Sequence, residues 1–484
     1  MAAGIPGADN TAGAVQAQRK TKIVATLGPA TYDERTIKLM LKAGMDVARI
    51  NLSHGSMAEH ADSIAMVRRC AAQKGAPLAV LIDLPGPKLR VGDLARPLTV
   101  KVGDIVSLGS APTDQLTVNF PELLGHFTRG ELVLIDDGAI ALRVRAVVPP
   151  TVTLEVLNDG VIESHKGVNL PDTRLPIAAV TAVDRELLAW GMEQDIDYVA
   201  LSFVRSAADV LELKELIAAA GGDQLVIAKI EKKEALAAHE EIIAAADAVM
   251  VARGDLGVEI EPAMVPIWQK RIIHSANVAG KPVITATQML QSMVSAPRPT
   301  RAEASDVANA IYDATSAVML SGETAVGCYP GESVRTMAEI ALAVEADIDR
   351  QGRAPQPWAA GPVGDVSDAI SYGACEVAHR VGAQAIVSPT FSGATARAVA
   401  RNLPAQPIVA VSPDQRVVNQ LALCWGVHPL LGTDRSSFEE VIREANDLVL
   451  AHGFAVRGQV VVVTAGLQIN QSGRTNLIKA HVVR

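Results

Sequence analysis

Eight short apolar runs, at residues 22–27, 46–51, 78–83, 197–203, 225–231, 247–255, 281–287 and 316–321, constrain the fold more than any other feature of this chain. Between most of them lie stretches such as 207–220 and 262–279, whose apolar residues recur at spacings of three and four, the mark of an amphipathic helix. Eight strand–helix units in series predict an α/β fold, a (β/α)8 TIM barrel.

The rhythm breaks after the third run. From 88 to 171 the pattern becomes short alternating strands punctuated by Gly, Asp and Pro, as in Pro97-Leu-Thr-Val-Lys-Val-Gly-Asp-Ile-Val. A small all-β, barrel-like domain inserted at 88–171 is expected. Because βα loops open at the catalytic face of such a barrel, the insertion would form a lid. The barrel then comprises 21–87 and 172–345. Residues 1–20, rich in Ala and Gly and without periodicity, read as a disordered leader. The segment 351–364 reads as a linker, and 346–484 as a third, C-terminal α/β domain.

Composition removes several function classes. A chain of 484 residues that is 49% hydrophobic builds large cores and divides into two or three domains. A net charge of -9 with 3% aromatic residues argues against a general nucleic-acid binder, which needs a basic surface and stacking platforms. No run reaches membrane-spanning length and no signal-peptide order opens the chain, so a soluble, cytoplasmic protein without a membrane partner is expected. Cys70, Cys328, Cys375 and Cys424 show no metal-ligand spacing and read as isolated buried thiols.

Polar residues gather where the runs end. Those ends carry Arg49, Asn51, Ser53 and His54; Asp83; Ser202; Lys229 and Glu231; Arg253 and Asp255; Thr287; Ser321 and Glu323. Barrel active sites lie at the C-terminal ends of the strands, whereas folding requirements alone would scatter charges over both ends. Glu231 and Asp255 offer hard oxygens suited to Mg2+ or Mn2+. The two-residue period points Lys229 the same way as Glu231, placing a cation where a transferring phosphoryl group develops charge. Arg49 adds a fork of donors for phosphate, and Gly254 lets backbone approach a ligand. Structural ion pairs, Lys229 with Glu231 and Arg253 with Asp255, are the plain alternative for either pair alone.

The motifs Met250-Val-Ala-Arg-Gly-Asp-Leu-Gly-Val-Glu-Ile260, Lys281-Pro-Val-Ile-Thr-Ala-Thr-Gln-Met-Leu290, Pro297-Arg-Pro-Thr-Arg-Ala-Glu303, Leu320-Ser-Gly-Glu-Thr-Ala325 and Ala48-Arg-Ile-Asn-Leu-Ser-His-Gly55 resemble those of pyruvate kinases, from about Thr21 to the C-terminus. The resemblance implies phosphoryl transfer from phosphoenolpyruvate to ADP, giving pyruvate and ATP, with a lid, a C-terminal regulatory domain and a homotetramer. It implies Glu231 and Asp255 as ligands of the divalent cation and Lys229 as the lysine facing the transferring group. Thr287, Ala252 and Gly254 match positions holding the substrate carboxylate, and Arg49 and Arg90 match arginines on phosphates. Asn51, His54 and Lys166 match nucleotide contacts, and Asp137 matches a lid aspartate that approaches on closure. Which group protonates the enolpyruvate carbon is left open.

One departure is informative. Many family members read Asp-Thr-Lys-Gly-Pro-Glu after the third strand and require K+; this chain reads Asp83-Leu84-Pro85-Gly86-Pro87-Lys88. An ammonium near Asp83 would replace the monovalent cation that Asn51, Ser53, Asp83 and Leu84 would otherwise surround, so K+-independent activity is expected; a Lys88 pointing into solvent at the lid hinge is the plain alternative. In the C-terminal domain, Ser388-Pro-Thr-Phe-Ser-Gly-Ala-Thr395 before a helix at 396–402 offers Thr390, Ser392, Gly393 and Thr395 as a phosphate pocket for a phosphorylated small-molecule effector. Gln471-Ser-Gly-Arg-Thr-Asn476 resembles a second effector loop, while Phe391 and Ala394 depart from the basic residues of some relatives. A plain capping turn is the alternative. A barrel lyase or aldolase would also place Glu and Asp around Mg2+ but has no use for a lid or for Lys166; a non-catalytic paralogue would have lost Lys229 or a metal ligand.

Overall fold

In a computed structural model the eight apolar runs pair as a closed, all-parallel barrel. The structure describes residues 19–110, 114–173, 176–351, 366–434, 437–466 and 475–484. The barrel strands are β1 (Lys22–Leu27), β2 (Val47–Asn51), β3 (Ala79–Asp83), β12 (Tyr198–Leu201), β13 (Leu225–Ile230), β14 (Ala248–Ala252), β15 (Val283–Ala286) and β16 (Ala317–Leu320). They close in the order β1-β16-β15-β14-β13-β12-β3-β2. Parallel strands covered on both faces bury nearly every side chain, which is why their sequences are almost unbroken apolar runs.

Alternation along each strand splits these side chains between two cores. Val24, Leu81, Tyr198, Ile227, Met250, Ile284 and Met319 fill the barrel interior, while Ile23, Ile82, Val199, Ala228, Ile230 and Val251 face the surrounding helices. Ala422 and Leu423, from the C-terminal part of the chain, complete the interior cluster, and Tyr198 Oη donates to the Gln420 carbonyl at 2.6 Å. Tyr198 and Leu225 begin their strands, so this segment plugs the N-terminal mouth. The opposite mouth is left for chemistry.

Between β3 and β12 the chain forms a small β structure with its own core, including Val106, Leu108, Val133, Leu142, Val152 and Leu154. Its strands are β4 (Leu98–Val100), β5 (Ile105–Gly109), β6 (Leu116–Thr117), β7 (Leu132–Ile135), β8 (Ile140–Val148), β9 (Thr151–Val156), β10 (Gly160–Ile162) and β11 (Val168–Asn169), and its main antiparallel ladder runs β5-β9-β8-β7. The C-terminal sheet has the order β19-β18-β17-β20-β21, from β17 (Ile386–Pro389), β18 (Ile408–Ser412), β19 (Val427–Leu431), β20 (Val460–Ala465) and β21 (Leu477–Val482), with only the last pair antiparallel. Among the described residues no helix is long and apolar enough to cross a membrane.

Two sequence expectations need correction. The leader expected through residue 20 ends earlier: Arg19 and Lys20 are buried. The Lys20 and Thr21 backbone N–H groups donate to Glu345 at 2.9 and 2.6 Å, Lys20 Nζ meets Asp349 at 2.9 Å, and Arg19 pairs with Asp46. Residues 1–18, the expected linker at 352–364 and most of the second effector loop, 471–474, lie outside the described residues. Cys328 is exposed, whereas Cys70, Cys375 and Cys424 are buried as expected.

Candidate active site

The strand ends at the open mouth bring Arg49, Asp83, Lys229 and Glu231 into one network. Arg49, on β2, places Nε 2.8 Å and Nη2 2.7 Å from Asp83 Oδ2, with Nη1 donating to Thr26 Oγ1 at 3.0 Å. Lys229 Nζ lies 3.2 Å from Asp83 Oδ1 and 2.9 Å from Glu231 Oε1, and donates to Ser202 Oγ at 2.7 Å. Ile230 between them joins the outer core, so strand period alone delivers Lys229 and Glu231 to one face. Ser202 in turn donates to the Leu84 carbonyl at 2.7 Å, which fixes its oxygen as an acceptor for the lysine.

Burial makes this network costly unless each charge is compensated. Burial acts to lower the Lys229 pKa, but Asp83 and Glu231 outweigh it and hold the ammonium above its ordinary value. Burial likewise acts to raise Asp83, and Lys229 and Arg49 overcome it, keeping that carboxyl below its ordinary value. Glu231 is different: fully buried, it is pushed upward by desolvation, with Lys229 opposing and Asp255 adding to the rise. Its Oε2 accepts the Phe203 N–H at 2.8 Å. Its Oε1 forms a buried ion pair with Lys229 Nζ at 2.9 Å.

Asp255 comes from the short helix Arg253–Glu259, which starts directly after β14. Its partner is Lys88, whose Nζ lies 2.8 Å from Asp255 Oδ1 and 3.8 Å from Asp137 Oδ1. Lys88 therefore faces the site, but the expected neighbour Asp83 is not its partner; Arg49 and Lys229 already occupy both Asp83 oxygens. The alternative pair of Arg253 with Asp255 is also absent, because Arg253 lies 2.7 Å from Asp306. Its guanidinium further donates to the Thr287 and Ala286 carbonyls at 2.7 and 3.3 Å.

That grip holds an unusual backbone. Thr287 has φ 68° and Gln288 φ 55°, left-handed conformations that a β-branched threonine avoids. The turn aims Thr287 Oγ1 at the Gly254 N–H, 2.8 Å away, beside the buried Ala252. An added Cβ at Gly254 would stand 3.4 Å from Thr287 Oγ1, an ordinary van der Waals contact, so this approach does not itself demand glycine. A cavity of about 660 Å3 flanks the cluster, lined by Asp137, Arg253, Gly254, Gln288 and Asp306.

The remaining expected residues stand further out. Asn51 Oδ1 accepts the Ser53 N–H at 3.3 Å, while His54 is exposed and its carbonyl meets His60 Nε2 at 2.8 Å. Leu84 turns its side chain into the outer core and so offers a cation only backbone. Arg90 donates to the His165 carbonyl at 3.1 Å, and Lys166 pairs with Asp136 and Glu163 at 3.1 and 3.3 Å. Asp137 is 70% exposed in a turn with φ 50°. Sequence reading noted Ser202 without a role and missed Phe203, whose left-handed φ of 56° turns its N–H onto Glu231. Its position as the last residue of an apolar run was the available signal.

In the C-terminal domain the helix begins at Ala394 rather than 396, with Gly393 at its N-cap in a left-handed conformation of φ 79°. The Thr390 N–H donates to the Val411 carbonyl at 2.9 Å and the Ser392 carbonyl accepts from Arg397 at 2.7 Å. Thr395 Oγ1 lies 2.9 Å from Thr475 Oγ1, joining this loop to the end of the second one.

The donor set fits a divalent cation. Arg49, Lys88 and Lys229 face four carboxylates, Asp83, Asp137, Glu231 and Asp255, so a bare polyanion meets an excess of negative charge and needs an accompanying cation. Glu231 and Asp255 supply its carboxylate oxygens. Among the described residues no group of three or more His, Cys, Asp or Glu forms a cage.

Comparison with known proteins agrees over nearly the whole chain. Residues 18–334 match the family model described as the pyruvate kinase barrel domain, and 368–481 match that of the pyruvate kinase alpha/beta domain. The chain is similar to a pyruvate kinase of Clostridium acetobutylicum, 41% identical over 482 residues, covering 96% of this chain and 100% of that protein. It is 43% identical to one from Geobacillus stearothermophilus over 474 residues, 96% and 81% of the two chains, and 44% identical to "Pyruvate kinase 2" of Synechocystis over 475 residues, 96% and 80%.

Proposed function

The chain belongs to the pyruvate kinase family, phosphotransferases of glycolysis that act with a divalent metal, and we propose that its charged strand ends transfer the phosphoryl group of phosphoenolpyruvate to ADP with Mg2+ or Mn2+. The observation that carries this reading is the buried strand-end cluster in which Lys229 Nζ lies 2.9 Å from Glu231 Oε1 and 3.2 Å from Asp83 Oδ1, with Arg49 on the same aspartate.

Glu231 and Asp255 hold the divalent cation, which when bound supplies positive charge to the phosphoryl oxygens and to the enolate oxygen left behind. Lys229, kept charged by Asp83 and Glu231, presents its ammonium to the phosphoryl group in flight. Arg49 adds a planar fork of donors, fixed by Asp83 so that little freedom is lost on binding. The substrate carboxylate takes the Gly254 N–H and the Thr287 hydroxyl, next to Ala252, displacing the contact those two now make with each other. Asn51, His54, Arg90 and Lys166 serve the nucleotide side, and Asp137 comes down with the lid. Lys88 makes K+ dispensable by keeping a positive charge in the mouth. A phosphorylated effector binds at Thr390, Ser392, Gly393 and Thr395, and the working form is a homotetramer.

A coupled assay for pyruvate tests the reading. Formation should require ADP and a divalent cation together; pyruvate released without ADP would instead favour a lyase or phosphatase.

A further inference from the structure

Lys88 stands where a metal ligand would be engaged by its metal. Its ammonium lies 2.8 Å from Asp255 Oδ1, 3.8 Å from Asp137 Oδ1 and 5.9 Å from the centroid of the Phe203 ring. The side chain is only 19% exposed, and the space beside Gly167 is filled by it: a Cβ there would meet Lys88 Cε at 2.7 Å. Lys88 is thus threaded past the lid backbone to reach a barrel carboxylate. Asp137 belongs to the lid, Asp255 to the helix after β14, and one cation ties the two together.

An ammonium and a divalent cation cannot both hold Asp255 closely, because they compete for the same oxygens and repel each other at short range. We propose that Lys88 is the resident counter-ion of the metal-free site: it occupies Asp255 until a divalent cation arrives and leaves that carboxylate when the metal binds. The proposal rests on Glu231 and Asp255 being the metal ligands. Before metal entry, Lys88 keeps the half-buried Asp255 carboxylate compensated. After exchange, its ammonium remains at the mouth, free to meet the incoming polyanion. Metal loading and the departure of Lys88 from Asp255 become one event.

The test is Mn2+ binding without substrates, read from the electron paramagnetic resonance of free Mn2+, in the wild type, Lys88→Met, Lys88→Arg and Glu231→Gln. Lys88→Met should bind Mn2+ about tenfold tighter, the scale on which a close, partly desolvated charge pair competes. Lys88→Arg, which keeps the charge, should stay within about twofold of wild type on the same argument. Hydrogen exchange gives the second readout: Mn2+ should raise exchange around Gly167 in the wild type, and Lys88→Met should show the raised level without metal. Unchanged or weaker Mn2+ binding by folded Lys88→Met overturns the proposal while leaving the metal site intact, provided Glu231→Gln loses binding. Wild-type binding by Glu231→Gln overturns the metal site itself and this proposal with it. If Lys88→Met does not fold, Lys88→Gln carries the same comparison.

Discussion

Arg253 touches no proposed substrate position, yet its removal should damage turnover. Its guanidinium holds the Thr287 carbonyl at 2.7 Å, the Ala286 carbonyl at 3.3 Å and Asp306 at 2.7 Å. Thr287 sits at φ 68°, a conformation that costs a β-branched residue about 1–3 kcal/mol. A hydrogen bond from a charged donor contributes about 1.5–3 kcal/mol, enough to offset that cost. In Arg253→Met the bond is gone and the strain is not, so the left-handed turn loses about ten- to a hundredfold in population. Thr287 Oγ1 then drifts from the Gly254 N–H and the carboxylate pocket is seldom assembled. Steady-state kinetics should show kcat/KM for phosphoenolpyruvate reduced by about that factor, with the KM for ADP little changed. Arg253→Lys should recover only a small part, because a lysine cannot reach two carbonyls and a carboxylate at once. Wild-type kcat/KM in a folded Arg253→Met would refute the claim that Arg253 holds this turn.

Other outcomes follow from the same structure. Replacing K+ by a bulky organic cation should leave activity intact, and Lys88→Glu should create a K+ requirement; collapse of the wild type without K+ would exclude the role given to Lys88. His428, in β19, has its Nε2 sealed without a partner, and burial, helped by Lys22 and Arg19, lowers its pKa from 6.5 to about 3. The depressed folded value means that stability present above pH 6.5 is lost as the pH falls toward 3, since the unfolded chain takes up the proton first. Allowing for the ring's partial exposure, urea denaturation at pH 5 against pH 7 should show a loss of about 1–2 kcal/mol that His428→Gln removes; an equal loss in the variant would show that other groups carry it. Sugar phosphates or nucleotides should shift the phosphoenolpyruvate saturation curve, and Thr395→Val should blunt the shift; a curve unmoved by every compound tested removes the effector pocket.

The barrel was legible because parallel strands covered on both faces need long apolar runs, and each run's polar end marked the same mouth. Two-residue periodicity likewise sufficed to bring Lys229 and Glu231 together. What could not be read was the choice of partner. Arg253 takes Asp306 rather than Asp255 because a helix begins directly after β14 and turns the two side chains apart. Lys88 takes Asp255, not Asp83, because Arg49 and Lys229 reach Asp83 first from β2 and β13. Arg19 and Lys20 look like the end of a polar leader until Glu345 and Asp349 are brought against them by the fold. Such pairings depend on how segments far apart in the chain are juxtaposed, and local pattern carries no record of that.

The most direct measurement follows radiolabelled phosphate from phosphoenolpyruvate in the wild type and in Glu231→Gln, with Mg2+ or with chelator. Label should appear in ATP in step with pyruvate only for the wild type with Mg2+, and should stay in phosphoenolpyruvate otherwise. Label in ATP from Glu231→Gln at the wild-type rate, or label released as inorganic phosphate with ADP present, would contradict the assignment of Glu231 as a metal ligand for phosphoryl transfer.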